Sequence, residues 1–579
     1  MQMTGARVVC EALLREGVDV IFGHPGGAAL PLYDALWHYP QLRHILVRHE
    51  QAAAHAAEAY ARVTGRAGVC VATSGPGATN LVTGLAAAKM DSTPIVAITG
   101  QVARGLMGTE AFQECATTEM VAPIVKKAFL VMDTKDIAPI IHEAFVTAMS
   151  GRPGPVLIDL PKDVQAELME AVLPPLYPHK NGAGGPALPA ADLLREAARL
   201  LNEAERPLLI VGNGVHIASA SDALRELAEK TEVPVINTLH GIGAFPRSHR
   251  LALGMLGMHG MYWCNIATTE ADLIVGVGMR FDDRVIGRPG TFGERAKIIQ
   301  INVTGDQIGK TARADLGLLG DARLVLEALL PLTQRRERKP WFDRIAELQR
   351  KHPSLDIPDM DAITPQLVMA EVNKAVARAD DPIVVTGVGQ HQMWAAQFIE
   401  LDLPRSFVTS GGLGVMGFEV PAAIGAQVGR PNATVWAVCG DGGFQMTLQE
   451  LATVAQEHLP VKYVIINNGY LGMVREWQEL FYEHHYKSVS ISSPDYVKLA
   501  DAYGIPALVV TNKEDVRAAI EEAERAKGPF LLDMRVAPEE NVYPMVPPGA
   551  SLAETVEDPR VVDRRQKIVV GPEGTVSYP

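Results

Sequence analysis

The stretch TVWAVCGDGGFQMTLQELATVAQEHLPVKYVIINNGYLGMVREW, from Thr434 to Trp477, decides how the chain is read. It reads as an apolar strand from Thr434 to Cys439, an amphipathic helix from about Phe444 to His458, a second apolar strand from Val461 to Ile466, and a glycine-rich turn. Two such strands joined by one helix make a βαβ crossover with the strands parallel. Gly440-Asp441-Gly442 closes the first strand and Asn467-Asn468 the second. Asp441 and Asn468 therefore stand at the carboxyl ends of strands, the edge where open α/β sheets bind ligands. A carboxylate and an amide oxygen are hard donors, suited to Mg2+ or Ca2+ rather than zinc. Mg2+ keeps few protein ligands and completes its octahedron with water and phosphate oxygens, so a phosphorylated cofactor is expected. The helix N-terminus after Gly442-Gly443 offers free N–H groups to the same phosphates. The plainer reading is that Asp-Gly and Asn-Gly are common turn formers, and that a lone GDG is a turn.

Outward from this stretch, the same alternation fills the chain. The first third reads as a helix over Ala6–Glu16, strands at Val20–Phe22 and Ile45–Val47, an Ala-rich helix ending at Gly65, the strand GVCVAT, a Ser74-Gly75-Pro76-Gly77 turn and the strand PIVAITG. A Pro- and Gly-rich linker is expected from Pro174 to Pro189. The middle repeats the pattern in RPLLIVGNGV, PVINTLHGIG, ADLIVGVGMRFDDRV and AKIIQINVTGDQIG. Its strand-end glycines suit either approach to a nucleotide or tight strand-to-helix turns. Gly212-x-Gly214 lacks the third glycine of a dinucleotide fingerprint. A second polar linker is expected from about Thr333 to Thr364, and a tail after about Pro538 that wraps the surface. The fold class is α/β, with three doubly wound parallel-sheet domains.

A formal charge of −14 argues against a nucleic-acid or anionic-membrane partner. The densest cationic run, Arg335-Arg336-Glu337-Arg338-Lys339, reads as a solvated linker face. No apolar run approaches the roughly 20 residues that span a bilayer, and the start reads as helix then strand rather than a signal or transit peptide. Cys10, Cys70, Cys115, Cys264 and Cys439 are scattered without metal spacing, as reduced core thiols of a cytoplasmic protein would be.

GDG followed across the crossover by NN resembles the thiamine diphosphate-binding signature, which implies Mg2+ held by Asp441, Asn468 and the backbone carbonyl of Tyr470. Further stretches in order, among them FGHPGGAALPLYDAL, RHEQAAAHAAEAYARVTG, ATSGPGATNLVTG, GTEAFQE, SGRPGPVLIDLPKDVQ, LGMHG, RFDDRV, GQHQMWAAQF, SGGLGVMGFEVPAAIGAQ and GMVREWQELFY, cover nearly the whole chain. Together they resemble the catalytic (large) subunits of the acetohydroxyacid (acetolactate) synthase family. The resemblance implies a pyrimidine-binding domain over 1–172, a central FAD-binding-like domain over 190–332, a diphosphate- and Mg2+-binding domain over 364–540 and a tail over 541–579. It implies a transferase of branched-chain amino-acid biosynthesis that decarboxylates pyruvate on thiamine diphosphate. The hydroxyethyl carbanion is then condensed with a second pyruvate, giving 2-acetolactate, or with 2-ketobutyrate, giving 2-aceto-2-hydroxybutyrate.

Site residues follow from the matching motifs. Glu50 of Arg48-His49-Glu50 taken alone is a favourable charge at a helix N-terminus; the resemblance makes it the acid that hydrogen-bonds the cofactor's aminopyrimidine. Phe112 and Gln113 match the pair beside the reacting carbon, Gly27 a backbone position near it, and Lys126 a lysine of the entrance, with Lys127 beside it. Gly389, Gln390 and His391 follow an apolar strand and can meet the diphosphate, as can Gly414, Gly440, Gly442 and Gly443. Met416 matches the wedge that bends the cofactor; elsewhere a methionine is plain core. Arg284 would hold the acceptor's carboxylate, unless it pairs with Asp282 or Asp283. Trp477 would press on the acceptor's alkyl group and favour 2-ketobutyrate.

A structural FAD is implied by matches at Arg152, Gly212, Gly214, Thr238, Leu239, Leu256, Gly257, Met258 and His259, and at Gly278, Arg280, Asp282, Val285, Gly320 and Asp321. Asn302 stands where the family usually has an acidic residue, which weakens the expected grip on ribose. Glu419 in GFEVPAA replaces a more usual small residue, and nothing in the sequence accounts for it. The family's acid and metal meet across two chains, so a homodimer is the least active unit, with a tetramer and a small regulatory subunit as further partners. The rival readings are another carboligase or decarboxylase of this scaffold, such as a sulfoacetaldehyde acetyltransferase, and a non-catalytic scaffold homologue. Glyoxylate carboligases replace the glutamate matched by Glu50.

Overall fold

The computed structural model describes residues 2–170, 188–560, 569–570 and 576–577. The linker expected from Pro174 to Pro189 and the end of the expected tail fall largely outside the described residues. Elsewhere, apolar runs that end in Gly, Ser or Asx become strands, and three six-stranded sheets result in which every pairing is parallel. The first contains β1 (Val20–Gly23), β2 (Arg43–Leu46), β3 (Gly68–Ala72), β4 (Ile95–Gln101), β5 (Lys127–Leu130) and β6 (Val156–Pro161), in the order β2-β1-β3-β4-β6-β5. The second contains β7 (Pro207–Val211), β8 (Val235–Asn237), β9 (Ala252–Met255), β10 (Leu273–Val277), β11 (Lys297–Asn302) and β12 (Leu316–Leu319), in the order β9-β8-β7-β10-β11-β12. The third contains β13 (Pro382–Thr386), β14 (Phe407–Thr409), β15 (Thr434–Gly440), β16 (Lys462–Asn467), β17 (Ala507–Val510) and β18 (Phe530–Arg535), in the order β14-β13-β15-β16-β18-β17. Central strands such as β3, β4 and β13 are buried along their whole length, as a sheet covered by helices on both faces requires.

The chain divides into two compact units: Met1–Gly185, Lys374–Gln392 and Arg405–Pro538 form one, and Pro186–Asn373, Met393–Pro404 and Glu539–Pro579 the other. The first unit holds the first and third sheets and the second unit the middle sheet. The helices that frame the site in the first unit are α1 (Glu50–Thr64), α3 (Glu419–Gly429), α4 (Asp441–Thr447) and α5 (Gly472–Phe481), and α2 (Lys339–Lys351) lies in the second unit. His49 caps α1 by accepting from the Gln51 N–H, and Gly65 ends it in the left-handed region at φ 75°. Within the first unit α1 packs against α3 through small residues, so closely that a Cβ on Gly425 would strike the backbone of Ala56.

Four expectations are corrected. The polar linker over Thr333–Thr364 contains α2, because Trp341, Ile345 and Leu348 recur at helical spacing and bury themselves in the core under the second sheet. Arg338, in the run read as a solvated face, is only 3% exposed. Its guanidinium donates to the carbonyls of Leu201 (2.8 Å), Ala204 (3.2 Å) and Thr231, where two helix C-termini solvate the charge. The tail does not drape over the surface at its start: Val542, Met545, Val546 and Leu552 are buried, and Val546 and Leu552 join that same core. In the opening stretch the helix begins at Asp441 itself and breaks at a 3-10 turn over Leu448–Glu450.

Candidate active site

The third sheet builds one half of the site. β15 ends at Gly440 and α4 opens with Asp441, which is 2% exposed. The Asp441 carboxylate accepts from the N–H of Gly469 at 2.9 Å and of Gly442 at 3.1 Å. Burial pushes this carboxyl up to about 6, against the pull of those N–H groups. Asn468 follows the neighbouring β16. Its Oδ1 accepts from the Tyr470 N–H at 3.0 Å, while its Nδ2 donates to Gln390 Oε1 at 3.2 Å. Gln390 Nε2 in turn donates to Glu476 Oε2 at 2.7 Å, so a buried carboxylate on α5 fixes both amides. Among the described residues no three His, Cys, Asp or Glu side chains cluster as a metal site. One carboxylate, one amide and one carbonyl form the oxygen-only set that suits Mg2+ with water and phosphate as its other ligands.

His391 lies against Gly389 and Gly440, where an added Cβ would stand 3.2 and 2.8 Å from Nδ1. Its buried Nε2 has no hydrogen-bond partner, and burial pushes the ring's pKa down to about 3, leaving it neutral. Met416 closes on the same turn: a Cβ on Gly442 would lie 3.5 Å from its Cε. Gly414 takes φ 75° in the loop between them. Arg62 on α1 ties that loop down, donating to Asp91 at 2.8 Å and to the Thr409 carbonyl at 2.6 Å, while Asp91 accepts from the N–H groups of Gly411 and Gly412.

The first sheet builds the other half. Glu50 heads α1 and is 8% exposed; its Oε2 accepts from Asn80 Nδ2 at 2.8 Å, and its Oε1 would lie 3.3 Å from a Cβ on Gly77. The turn that delivers it is anchored by Glu450, which accepts from the Arg48 N–H at 2.9 Å. A Cβ on Gly27 would meet nothing within 4 Å, so this backbone faces open space. Gly75 presses on Gln113, which is held in the left-handed region at φ 63°, a conformation costly for glutamine. Phe112 beside it is 89% exposed. Gly27, Glu50 and the Phe112–Gln113 pair thus leave the carboxyl ends of β1, β2 and β4. Lys126 does not join them. It precedes β5 at the amino edge, where its ammonium donates to the carbonyls of Thr147 and Ser150, and burial with Lys89 nearby pushes it down to about 8. Arg152, also in this unit, donates to Ser92 Oγ at 2.7 Å and to the Met90 carbonyl. Trp477, half-buried on α5, meets Phe481 edge to face at 5.6 Å.

In the second unit the expected flavin residues gather at the carboxyl edge of the middle sheet. Gly212 and Gly214 pack against Gly278, with the Gly214 N–H donating to the Gly278 carbonyl at 2.9 Å, so close strand-end packing alone requires glycine there. Thr238 and Leu239 follow β8, and Leu256, Gly257, Met258 and the buried His259 follow β9. The Met258 N–H donates to the Arg284 carbonyl at 2.7 Å, joining that loop to Val285. Arg284 itself is exposed and stands 3.8 Å from Asp283, while Arg280 stands 3.6 Å from Asp282. Asn302 spends its Oδ1 on Thr304 and its Nδ2 on the Met279 carbonyl. Gly320 donates to the Asn302 carbonyl, and Asp321 caps the following helix through the Leu324 N–H.

Asn80, Glu450, Glu476 and the Arg62–Asp91 pair were not singled out by the sequence. Asn80 sits inside the quoted SGPGATN turn, but the others act across the fold and leave no local signal.

Fold and site together define a thiamine pyrophosphate (thiamine diphosphate) enzyme. Family models match the N-terminal TPP binding domain over residues 3–120, the central domain over 194–329 and the C-terminal TPP binding domain over 387–534. The acetolactate synthase large subunit of Corynebacterium glutamicum is 46% identical, over 95% of this chain and 89% of that protein. A probable acetolactate synthase large subunit of Methanocaldococcus jannaschii is 46% identical over 98% and 97%, and the chloroplastic acetolactate synthase 1 of Nicotiana tabacum 44% over 96% and 85%. The chain belongs to the acetolactate synthase large-subunit family of thiamine pyrophosphate-dependent transferases. No helix among the described residues is long and apolar enough to cross a membrane.

Proposed function

We propose that the chain joins two pyruvates into 2-acetolactate with release of CO2, and pyruvate with 2-ketobutyrate into 2-aceto-2-hydroxybutyrate with release of CO2. Thiamine pyrophosphate, when bound, supplies a carbon that adds to the 2-keto group and takes up the electron pair left by CO2. The observation that carries the reading is Glu50: a buried carboxyl with one oxygen held by Asn80, set at the same sheet edge as Gly27 and Gln113. That carboxyl holds the proton exchanged with the aminopyrimidine. Gln113 donates to the oxygen where negative charge grows. Asp441, Asn468 and the Tyr470 carbonyl would hold Mg2+, and their hard oxygen set fits it. Arg284 takes the acceptor's carboxylate, and Trp477 packs on its alkyl group.

FAD is assigned to the second unit, where it would be structural. The middle sheet has the 3-2-1-4-5-6 strand order of dinucleotide-binding folds, and β7 and β10 flank the point where that order reverses. The fit is weakest at Asn302, whose oxygen is already engaged by Thr304. The functional assembly is a homodimer at least, with a regulatory subunit as a further partner. Purified protein given pyruvate, thiamine pyrophosphate and Mg2+ should release CO2 and 2-acetolactate. Acetaldehyde as the main product would replace this reading with a decarboxylase, and no turnover with a scaffold. A yellow protein with a flavin spectrum would support the FAD assignment; colourless active protein would remove it.

A further inference from the structure

Glu419, which the family motif left unexplained, opens α3 with its side chain 0% exposed, and neither carboxyl oxygen has a hydrogen-bond partner. Its carboxyl lies against two glycines: a Cβ at Gly387 or at Gly443 would collide with it. Gly387 follows β13 and leads into Gly389-Gln390-His391, and Gly443 lies in the first turn of α4, two residues after Asp441. The carboxyl is thus wedged behind both turns assigned to the diphosphate. Its position also has a counterpart. Glu50 heads the helix after the second strand of the first sheet, and Glu419 heads the helix after the second strand of the third.

The titratable and charged groups on the elements around it are Cys439 on β15, His391 on the β13 turn, Asp441 on α4, Glu450 after α4, and Glu50, His55, Glu58, Tyr60 and Arg62 on α1. Burial pushes the Glu419 carboxyl up to about 7, offset in part by the N–H groups of Glu419 itself and of Gly417 just before α3, which lie near it without forming a well-aligned hydrogen bond; among the described residues no cation contributes. The carboxyl in turn helps push the Cys439 thiol up. Ionised, Glu419 would set an uncompensated buried charge behind turns that receive an anion; neutral, it fills the same space without that repulsion.

We propose that Glu419 is a positioning residue that braces both diphosphate turns as a neutral carboxylic acid, so that loading of the cofactor is coupled to uptake of a proton. This rests on the assignment of the third sheet to thiamine pyrophosphate and Mg2+. The test is calorimetric titration of thiamine pyrophosphate into the full-length protein at saturating Mg2+, between about pH 6 and 8.5, in buffers of different ionisation enthalpy. Wild type should lose affinity above about pH 7 more steeply than Glu419→Gln, by up to about tenfold per unit, and take up to about one more proton per cofactor bound. At about pH 6 the two should bind within about threefold of each other, since the amide copies the neutral acid's shape. Glu419→Ala should lose the same extra pH slope, and it carries the test if the glutamine variant does not fold. Equal slopes and equal proton counts would overturn the proposal while leaving the cofactor assignment intact, as would a variant weakened by one constant factor at every pH. Failure of wild type to bind the cofactor at any pH would overturn both.

Discussion

The first and third sheets have the same strand order, 2-1-3-4-6-5 when strands are counted along the chain, yet carry different chemistry. The likeness extends to side chains. Asp159 and Asp533 each stand fourth in the sixth strand, buried, and each accepts from the fourth strand: Asp159 from Thr99 and Gln101, Asp533 from Asn467. What differs is the turns. After the second strand the first sheet presents Glu50 with its partner Asn80, while the third presents the clamped loop of Gly414 and Met416. After the third strand the first sheet has Ser74-Gly75, and the third has Gly440-Asp441-Gly442. One scaffold carries a buried acid at the strand ends of one copy and, repeated, a carboxylate, an amide and glycine turns at those of the other; the proposed function lies in what the strand ends carry.

The largest expected effect breaks the likeness between the two aspartates. Burial pushes Asp159 up to about 7, whereas Asp533 is raised but has Arg535 at 2.7 Å to offset its charge. A carboxyl raised in the fold contributes stability that is full below about pH 4 and lost as pH rises through about 7. Asp159→Asn should therefore stabilise the protein at pH 8 by up to about 4 kcal/mol, with the gain vanishing below about pH 4. Asp533→Asn should gain less. Thermal unfolding of both variants across that pH range is the check, and equal gains would mean that the aspartates have the same environment. Next in size, Gly425→Ala forces a methyl into the backbone of Ala56 between α1 and α3, and should cost about 1–3 kcal/mol in denaturant unfolding; a neutral result would mean that the helices can separate freely. The smallest effect concerns the segments after the fourth strands, where Gln113 and Trp477 are proposed to take different tasks. Trp477→Leu should cut the preference for 2-ketobutyrate over pyruvate by roughly five- to tenfold in direct competition, about 1 kcal/mol. An unchanged product ratio would take the acceptor's alkyl group elsewhere.

Much of this was legible in the sequence because strand ends are local. Apolar runs closed by Gly-Asp-Gly or Asn-Asn fixed β15 and β16, and the Ala-rich run closed by Gly65 fixed α1. What escaped is non-local. Arg338 reads as a surface cation because the helix carbonyls that solvate it lie over a hundred residues away in the chain, at Leu201 and Thr231. The Glu476–Gln390–Asn468 chain joins the turns after β13 and β16 to α5. The match between Glu50 and Glu419 lies in strand order, since the sequences flanking the two glutamates, RHEQAAA and GFEVPAA, differ. Lys126 shows the converse: a motif position placed it at the site entrance, whereas in this chain its ammonium ends a helix at the opposite edge of the sheet.

The claim that the first sheet supplies chemistry and the third supplies binding is tested most directly by comparing two variants in one pair of assays. Glu50→Gln should bind thiamine pyrophosphate with Mg2+ nearly as wild type does and lose about a hundredfold or more in acetolactate formation. Asp441→Ala should lose the Mg2+-dependent binding itself. A Glu50→Gln enzyme that turns over normally, or an Asp441→Ala protein that still binds the cofactor in a Mg2+-dependent way, would contradict the account.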